Sequence, residues 1–293
     1  VASVMAGDTT FSISYWSKPV FSSFPESYAY DFAVNTSTGG NHILLGVGKS
    51  TKKGAIWQNN GTFYGSTVFS ESNWNHVVYT RSGSTGTFYV NGVSQGTKTA
   101  DYTLTSNDRW TLGGEYDTNT ITNEFAGQMD EVAIWNATLS SADVTALYNS
   151  GNALKASSNS GNYNKSANLV AYWQLNEGSG TVTNSTAGSS NLYGTLYGST
   201  NWTSGGALIE TFSGGVQVGL HNLDDDSNVT VELESSDTGE ATVSPSNLIF
   251  TKDNWNSAKT VTVTGVNDSD SDRHQDYKIS LSSRKEITTA VVS

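Results

Sequence analysis

The stretch of sequence that decides the fold spans residues 110–148 and reads WTLGGEYDTNTITNEFAGQMDEVAIWNATLSSADVTALY. It begins with a short apolar segment that ends in a Gly-Gly turn, and a polar loop follows. Residues 129–135 then alternate in the pattern of a β-strand. Ser140, with Asp143 three residues on, predicts a helix that opens in a capping box, and Gly151 lies just past its expected end. A single helix after many strands indicates that the helix braces a sheet.

Outward from this stretch, the rest of the first 200 residues also reads as strands joined by turns. Asn91-Gly92 supplies the two positive φ angles of a type I′ turn, which predicts a hairpin. Trp57 and Tyr64 flank a second predicted hairpin. We expect residues 169–202 to close the same sheet from the C-terminal side, because a lone opening strand would leave its apolar residues unburied. The alternative is that they begin a second, truncated copy of the domain.

Composition and charge limit the class of protein. The 293 residues are enough for one large or two ordinary domains, and the abundance of Gly, Ser, Thr, Asn and aromatic residues predicts an all-β protein. The net charge of −12 argues against nucleic acid or an anionic membrane surface as a partner. The lack of cysteine fits a bacterial extracellular protein better than a secreted animal domain.

The two ends of the sequence carry less information. No apolar run approaches the length of a membrane span, so we expect no direct membrane insertion. The chain opens on VASVMAGD, with neither an initiator Met nor a signal peptide, which indicates a piece cut from a longer protein.

The sequence changes character at about residue 207. Residues 207–293 hold 14 acidic and 6 basic residues, a net charge of −8 that leaves −4 for the rest of the chain. Short period-two segments recur in this part, at residues 229–233, 248–250, 260–266 and 277–281. We therefore predict two domains, residues 1–206 and residues 207–293.

Both predicted domains resemble known families. FSISYWSKP, NWNHVVYTRSG, FYVNGV and LGGEYD…FAGQMDEVAIWNATLS occur in the order found in the concanavalin A-like jelly roll, in its laminin-G/pentraxin branch. SSDTGEATVSPSNLIF and NWNSAKTVTVTGVNDSD resemble the Calx-β-type immunoglobulin-like sandwich that is repeated in large bacterial surface proteins. The expected fold is therefore all-β: a two-sheet jelly-roll sandwich with one short helix, followed by a smaller immunoglobulin-like β-sandwich.

Glu115 and Asp117 are the first candidate ligands of a metal ion. A rigid β-turn points two carboxylates that are two residues apart to one side, and Ca²⁺ prefers six to eight oxygen ligands. In pentraxin-like relatives the corresponding acids bind calcium, and the resemblance adds Asn123 and Asn41 to the set. The family's further ligands are replaced here by Tyr116, Thr120 and Gly40. These losses argue against a two-ion site, and the alternative is that the acids are solvated turn residues.

A second candidate calcium site lies in the predicted C-terminal domain. The run from Asp268 through Asp270 to Asp272 has the spacing of an EF-hand loop, but Arg273 stands where that loop needs Gly. In Calx-β-like domains, acids at this position bind structural calcium together with an upstream Glu, which Glu210 matches. We interpret this as a weakened structural site.

Aromatic residues near the loops are candidates for stacking on a sugar ring: Tyr30, Trp57, Tyr64 and Tyr116. The alternative is that they are core residues, as most Trp in a sandwich are. Some glycosidases share the jelly roll and use a third acid after a Glu-x-Asp pair, but Thr118, Asn119 and Thr120 follow Asp117 here. The sequence therefore predicts a protein that is not an enzyme.

Taken together, these features predict a calcium-assisted, glycan-binding, lectin-like module of a secreted bacterial adhesin. Its partner would be a glycan on a cell or matrix surface, and further repeats are expected to flank it in the full-length protein. Two alternatives remain open: a ligand-free structural spacer, and the carbohydrate-binding appendage of a secreted hydrolase.

Overall fold

The computed structural model describes residues 1–58, 60–117, 120–188, 192–198, 200–203, 206–207, 213–218, 220, 227–239, 241–266 and 278–285. The chain divides into two compact units, Val1–Leu208 and Ile209–Ser293. Strands make up 50% of the structure and helices 9%, which confirms the predicted all-β class. No helix in the described ranges is long and apolar enough to cross a membrane.

The first unit is built from short strands and few helices. Its strands are β1 (Thr10–Pro19), β2 (Tyr28–Asn35), β3 (Asn41–Gly48), β4 (Lys53–Gln58), β5 (Gly61–Val68), β6 (Asn75–Ser82), β7 (Thr85–Val90), β8 (Val93–Thr99), β9 (Arg109–Leu112), β10 (Glu115–Asp117), β11 (Thr120–Thr122), β12 (Gly127–Trp135), β13 (Leu169–Trp173), β14 (Val182–Asn184) and β15 (Tyr193–Thr195). Its α-helices are α1 (Ala2–Met5) and α2 (Ser141–Tyr148), and short 3-10 helices cover Phe21–Ser23, Asn149–Gly151 and Ser166–Asn168.

Two antiparallel sheets face each other in this unit. One has six strands in the order β13-β12-β1-β6-β7-β8, and the other has five in the order β5-β4-β3-β2-β9. Alternate residues of both sheets, such as Ile13 and Tyr79 from the first and Phe32 and Leu45 from the second, meet in one buried core. This arrangement is the predicted two-sheet sandwich.

The strand from residue 169 completes the six-stranded sheet. β13 pairs antiparallel with β12, with Val132 opposite Trp173 and Ala133 opposite Tyr172. Closure from the C-terminal side is thereby confirmed for this strand. The residues after it behave differently, because β14 and β15 pair with each other and form a separate two-stranded sheet.

Local sequence signals are confirmed in most places and corrected in two. Asn91 and Gly92 have φ angles of 51° and 77° in the turn between β7 and β8, and Ser140 and Asp143 form the predicted capping box of α2. The residue that ends α2 in the left-handed conformation is Asn149, not Gly151, since Asn also tolerates positive φ. The predicted polar loop at 115–124 is instead largely a hairpin, β10 with β11.

Helix α2 covers the outer face of the six-stranded sheet. Val144 and Leu147 of the helix are buried with Trp135 and Tyr172 of the sheet in a second apolar cluster. Beside this cluster His76 is buried, and its ring contacts Trp16 and Tyr148 at centroid distances of 4.8 and 6.3 Å, in a group of three rings where Trp16 and Tyr148 also stack on each other at 5.9 Å. The His76 Nε2 lies 2.7 Å from the Ser14 hydroxyl. His76 is thus a buried residue of β6.

The second unit is a smaller sandwich. Its strands are β16 (Ser213–Val218), β17 (Val229–Ser235), β18 (Ala241–Ser244), β19 (Asn247–Phe250), β20 (Lys259–Gly265) and β21 (Ile279–Lys285). They form two three-stranded sheets, β16-β20-β18 and β19-β17-β21, around a core that includes Leu233, Phe250 and Val261. The Calx-β identity of this unit stays a prediction.

Candidate functional site

Four aromatic residues gather on the outer face of the five-stranded sheet. Strand alternation directs Tyr28 and Tyr30 of β2 away from the core, toward Trp57 of β4. The Trp57 ring lies 5.3 Å from Tyr28, 4.9 Å from Tyr30 and 6.1 Å from Tyr64, each pair edge to face. Three predicted stacking residues, Tyr30, Trp57 and Tyr64, thus belong to one cluster, and Tyr28 joins them.

The rings of this aromatic cluster differ in exposure. Tyr30 is only 6% exposed, whereas Tyr64 is 51% exposed, and Tyr28 and Trp57 are half-buried. Gly46, opposite Tyr30 on β3, leaves room for that ring, since a Cβ there would approach the ring to 2.9 Å. The cluster is therefore anchored at its base and open to solvent at Tyr64.

Glu115 lies next to this cluster. It opens β10 and is 8% exposed, and burial, followed by the nearby Asp117 carboxylate, raises its pKa to about 7. Asp117 is two residues on in the same strand and so projects to the same side. Asn35 holds β10 in place, because its Oδ1 accepts a hydrogen bond from the Tyr116 amide at 3.2 Å.

Asn41 is attached to the same corner. The Asn35 amide donates from Nδ2 to the Asn41 Oδ1 at 3.0 Å, where β2 and β3 end. Asn35 therefore links Asn41, the first residue of β3, to β10, the strand that Glu115 opens. That Asn41 is a metal ligand stays a prediction.

Asn123 contacts Glu26 and the backbone of Tyr30. Its Nδ2 donates to the Glu26 Oε2 at 2.9 Å, and its carbonyl accepts from the Tyr30 amide at 3.0 Å. Burial raises the pKa of Tyr30, and the charges of Glu115 and Glu26 add to the rise. The two Asn123 contacts place Glu26 close to the strand that carries Tyr28 and Tyr30 of the aromatic cluster.

Glu26 and Tyr28 are the site residues that sequence reasoning missed. Tyr28 could have been found, since it alternates with Tyr30 on the same strand. Glu26 lies in a loop 97 positions from its partner Asn123, and no local pattern signals that contact.

The oxygen atoms around Glu115 suit a hard cation. The Thr122 hydroxyl is buried without a hydrogen-bond partner, and Thr122 stands opposite Glu115 in the β10–β11 ladder, on the same face. Among the described residues, however, no group of three or more His, Asp or Glu side chains is arranged to hold a metal ion. A calcium ion would therefore depend on two carboxylates together with amide, hydroxyl and water oxygens, a set that calcium accepts.

The remaining predicted residues lie elsewhere. Tyr116 alternates to the face opposite Glu115, and the Arg109 guanidinium covers its ring at 4.1 Å. The C-terminal candidates Glu210, Asp268, Asp270 and Asp272 lie outside the described residues.

Solved structures of similar fold include proteins that bind sugars. They include a heptameric SAP-like pentraxin of Limulus polyphemus, with a TM-score of 0.42 and 18% identity over 49% of this chain and 71% of that one. The CBM40 module of the Ruminococcus gnavus IT-sialidase, bound to α2,3-sialyllactose, has a TM-score of 0.40 and 16% identity over 50% of this chain and 85% of that one. Domain 4 of an extracellular arabinanase of Geobacillus stearothermophilus, in complex with arabinotriose, has a TM-score of 0.38 and 18% identity over 48% of this chain and 68% of that one.

Sequence comparison gives two further results. No curated protein matches the chain. Residues 2–145 match the Laminin_G_3 family model, described as the concanavalin A-like lectin/glucanases superfamily, and this match supports a jelly-roll domain of that type in the first unit.

Proposed function

We propose that the first unit binds a glycan on the outer face of the five-stranded sheet. The observation that carries this proposal is the joint surface of the aromatic cluster and the carboxylates of Glu115 and Glu26. A sugar ring has an apolar face that packs on aromatic rings and an edge of hydroxyls that donate to carboxylates. The family model that matches this unit is itself named for lectins and glucanases, and it supports the same role.

The aromatic residues would have distinct tasks. Tyr64, the most exposed ring of the cluster, would contact the sugar first, and the half-buried Trp57 would provide the broad surface beneath it. Tyr30 is buried and would support Trp57 from below. Because Asn123 holds the Glu26 carboxylate, Glu26 would present its oxygens in a fixed orientation.

We further propose that calcium assists this binding. Glu115, Asp117 and Asn41 would hold the ion, with the Thr122 hydroxyl close by. When bound, calcium would supply open coordination positions for sugar hydroxyls. A cation would also relieve the repulsion between Glu115 and Asp117, which is part of what raises the pKa of Glu115.

The wider context follows the sequence resemblance. We propose that the chain is part of a secreted bacterial adhesin, with a Calx-β-like second unit that acts as a connector between repeats. In this setting the module binds rather than catalyses, and weak single sites would gain strength from multivalency.

A glycan array run with and without EDTA tests these proposals. We expect binding by the wild type in calcium, loss of binding in EDTA, and loss in both Trp57→Ala and Asp117→Ala. Val93→Ala is the matched control, since Val93 is 60% exposed on the edge of the other sheet.

The array separates the two parts of the proposal. Binding that persists in EDTA but is lost in Trp57→Ala would remove calcium and keep the glycan site. Full binding by both variants would disprove the site itself.

A further inference from the structure

A second exposed aromatic surface lies on the hairpin of β14 and β15. Tyr193 is 66% exposed and Tyr197 is 80% exposed, the highest values among the large hydrophobic residues of the described ranges. This hairpin belongs to neither of the two large sheets of the first unit. The two tyrosines are therefore separate from the aromatic cluster around Trp57.

The hairpin has an inner and an outer face. Leu192 packs against the main core and Thr183 is only 4% exposed, so these residues face inward. Tyr193 and Thr195 alternate with them and face solvent, opposite Asn184 and Val182 respectively.

The outer face continues past the last residue of β15. The Leu196 amide donates to the Thr181 carbonyl at 2.8 Å, so the strand pairing and its alternation carry on toward Tyr197. The Trp202 indole donates to the Gly180 carbonyl at 2.8 Å, which places a third, half-buried aromatic residue at this end of the hairpin. Tyr193 and Tyr197 therefore share the outer face, and Trp202 lies at one end of the hairpin.

This surface differs from the rest of the chain in charge. From Gly178 to Ile209 the sequence contains no Asp, Glu, Lys, Arg or His, although the chain as a whole has a net charge of −12. The outer face of the hairpin presents the Tyr193 and Tyr197 rings, hydroxyl and amide groups, and the aliphatic Val182. The Glu177 carboxylate lies at its edge, where Oε1 accepts hydrogen bonds from the Thr183 hydroxyl at 2.6 Å and the Asn184 amide at 3.0 Å. An anionic partner would find no opposite charge among these residues, whereas an uncharged polyhydroxylated partner would find both stacking surfaces and hydrogen-bonding groups.

We propose that the outer face of the β14–β15 hairpin is a second binding site, for a neutral polysaccharide chain, and that it works without calcium. Tyr193 and Tyr197 are four residues apart, a distance of about 13 Å along an extended strand. This separation exceeds the length of one pyranose ring, so the two tyrosines would contact different sugar units of a chain. The Glu177 carboxylate beside this face already accepts hydrogen bonds from Thr183 and Asn184, so the sugar would be held by stacking and hydrogen bonds rather than through a metal ion.

Affinity electrophoresis in EDTA tests this site. Native gels would contain laminarin, hydroxyethylcellulose or soluble starch as neutral polymers, and polygalacturonate as the anionic comparison. We expect at least one neutral polymer to retard the wild-type chain and polygalacturonate not to do so. Tyr193→Ala and Tyr197→Ala should each raise the apparent Kd about tenfold. Tyr193→Phe keeps the ring, so its apparent Kd should stay within about twofold of the wild-type value.

Two controls keep the result specific. Val93→Ala, at an exposed residue on the edge of the six-stranded sheet, should be retarded like the wild type, because it lies outside both proposed sites. Circular dichroism and melting curves of all variants would show that each is folded. The two assays test different residues, so the proposal for the hairpin can be disproved without disproving the proposal for the five-stranded sheet. The reverse is also true.

Three results would overturn the proposal. They are no retardation by any neutral polymer, equal retardation of the wild type and the Tyr193→Ala/Tyr197→Ala variant, and retardation only by polygalacturonate. Sedimentation velocity adds a fourth: a dimer that this double variant dissociates would assign the face to self-association instead.

Discussion

The two sheets of the first unit use their outer faces in opposite ways. The six-stranded sheet covers its outer face with α2 and the loop that follows, and it buries Trp135 completely there. The five-stranded sheet leaves Trp57 half-buried, next to exposed Tyr64 and the acids Glu115 and Glu26. Both faces are rich in aromatic residues. Composition therefore does not distinguish the covered face from the open face, whereas the presence of a covering element does.

Substituting a matched pair of tryptophans would test this comparison most strongly. Trp135→Ala should lower the free energy of unfolding by about 3–5 kcal/mol, because the indole is fully buried and donates to the Tyr163 hydroxyl at 3.0 Å. Trp57→Ala should cost only about 1–2 kcal/mol, because its ring is part exposed. Urea unfolding of both variants measures the difference. Similar losses in the two proteins would show that the open face is as structural as the covered one.

The covered face also contains a titratable group that should respond to acid. Burial lowers the pKa of His76 to about 3 from 6.5, so the folded state resists a proton that the unfolded state accepts. The contribution of neutral His76 to the free energy of unfolding is fully present above pH 6.5 and is lost as the pH falls toward 3. Between pH 6.5 and 4.5 the loss should be about 2 kcal/mol.

His76→Gln supplies the reference for this measurement. The pKa values of Asp31 and Glu115 are raised to about 7 by burial, so these two residues act in the opposite direction in both proteins and cancel in the difference. Wild type should lose about 2 kcal/mol more than His76→Gln on acidification across that range. Parallel pH profiles would contradict the buried, neutral state of His76.

On the open face, Glu115 should give the reverse pH dependence. Its raised pKa means that its contribution to stability is greatest below pH 4.5 and falls as the pH rises to about 7. Glu115→Gln removes this loss, so at pH 8 without calcium its melting temperature should be higher than that of the wild type. Added calcium should raise the melting temperature of the wild type alone. An equal response of both proteins to calcium would place the ion elsewhere.

The smallest effect is expected where the two sheets meet at one edge. Gln95 of β8 accepts hydrogen bonds from the Ser66 and Thr67 amides of β5, each at 2.9 Å. Gln95→Ala should therefore cost about 1 kcal/mol. Gln128→Ala, which removes one exposed contact to Thr203, is the matched control and should cost less. Equal costs would mean that the edge contact does not couple the two sheets.

The parts of the fold that sequence predicted are the ones that local chemistry determines. The Asn91-Gly92 turn and the Ser140 capping box each depend on residues within four positions of one another. The C-terminal cap of α2 was assigned to Gly151 because Gly is the commonest choice, yet Asn149 reaches the left-handed conformation first.

The candidate site was harder to predict, because its residues come from distant parts of the chain. Glu115 and Asp117 could be named from their spacing, and Asn41 from family resemblance. The contact between Glu26 and Asn123 is a property of the folded sandwich, in which the loop before β2 meets the end of the β10–β11 hairpin. The placement of Tyr116 beneath Arg109 likewise follows from a packing choice that alternation alone does not reveal.

The late position of β13 has a consequence for synthesis on the ribosome. β12 ends at Trp135, but the strand that covers its free edge begins only at Leu169. A nascent chain that has emerged only as far as α2 would expose an unpaired strand edge, which is a template for wrong pairing. The matched family region ends at residue 145, before this strand. Fragments cut at that limit should aggregate, and cotranslational folding of the unit should wait for the residues that follow it.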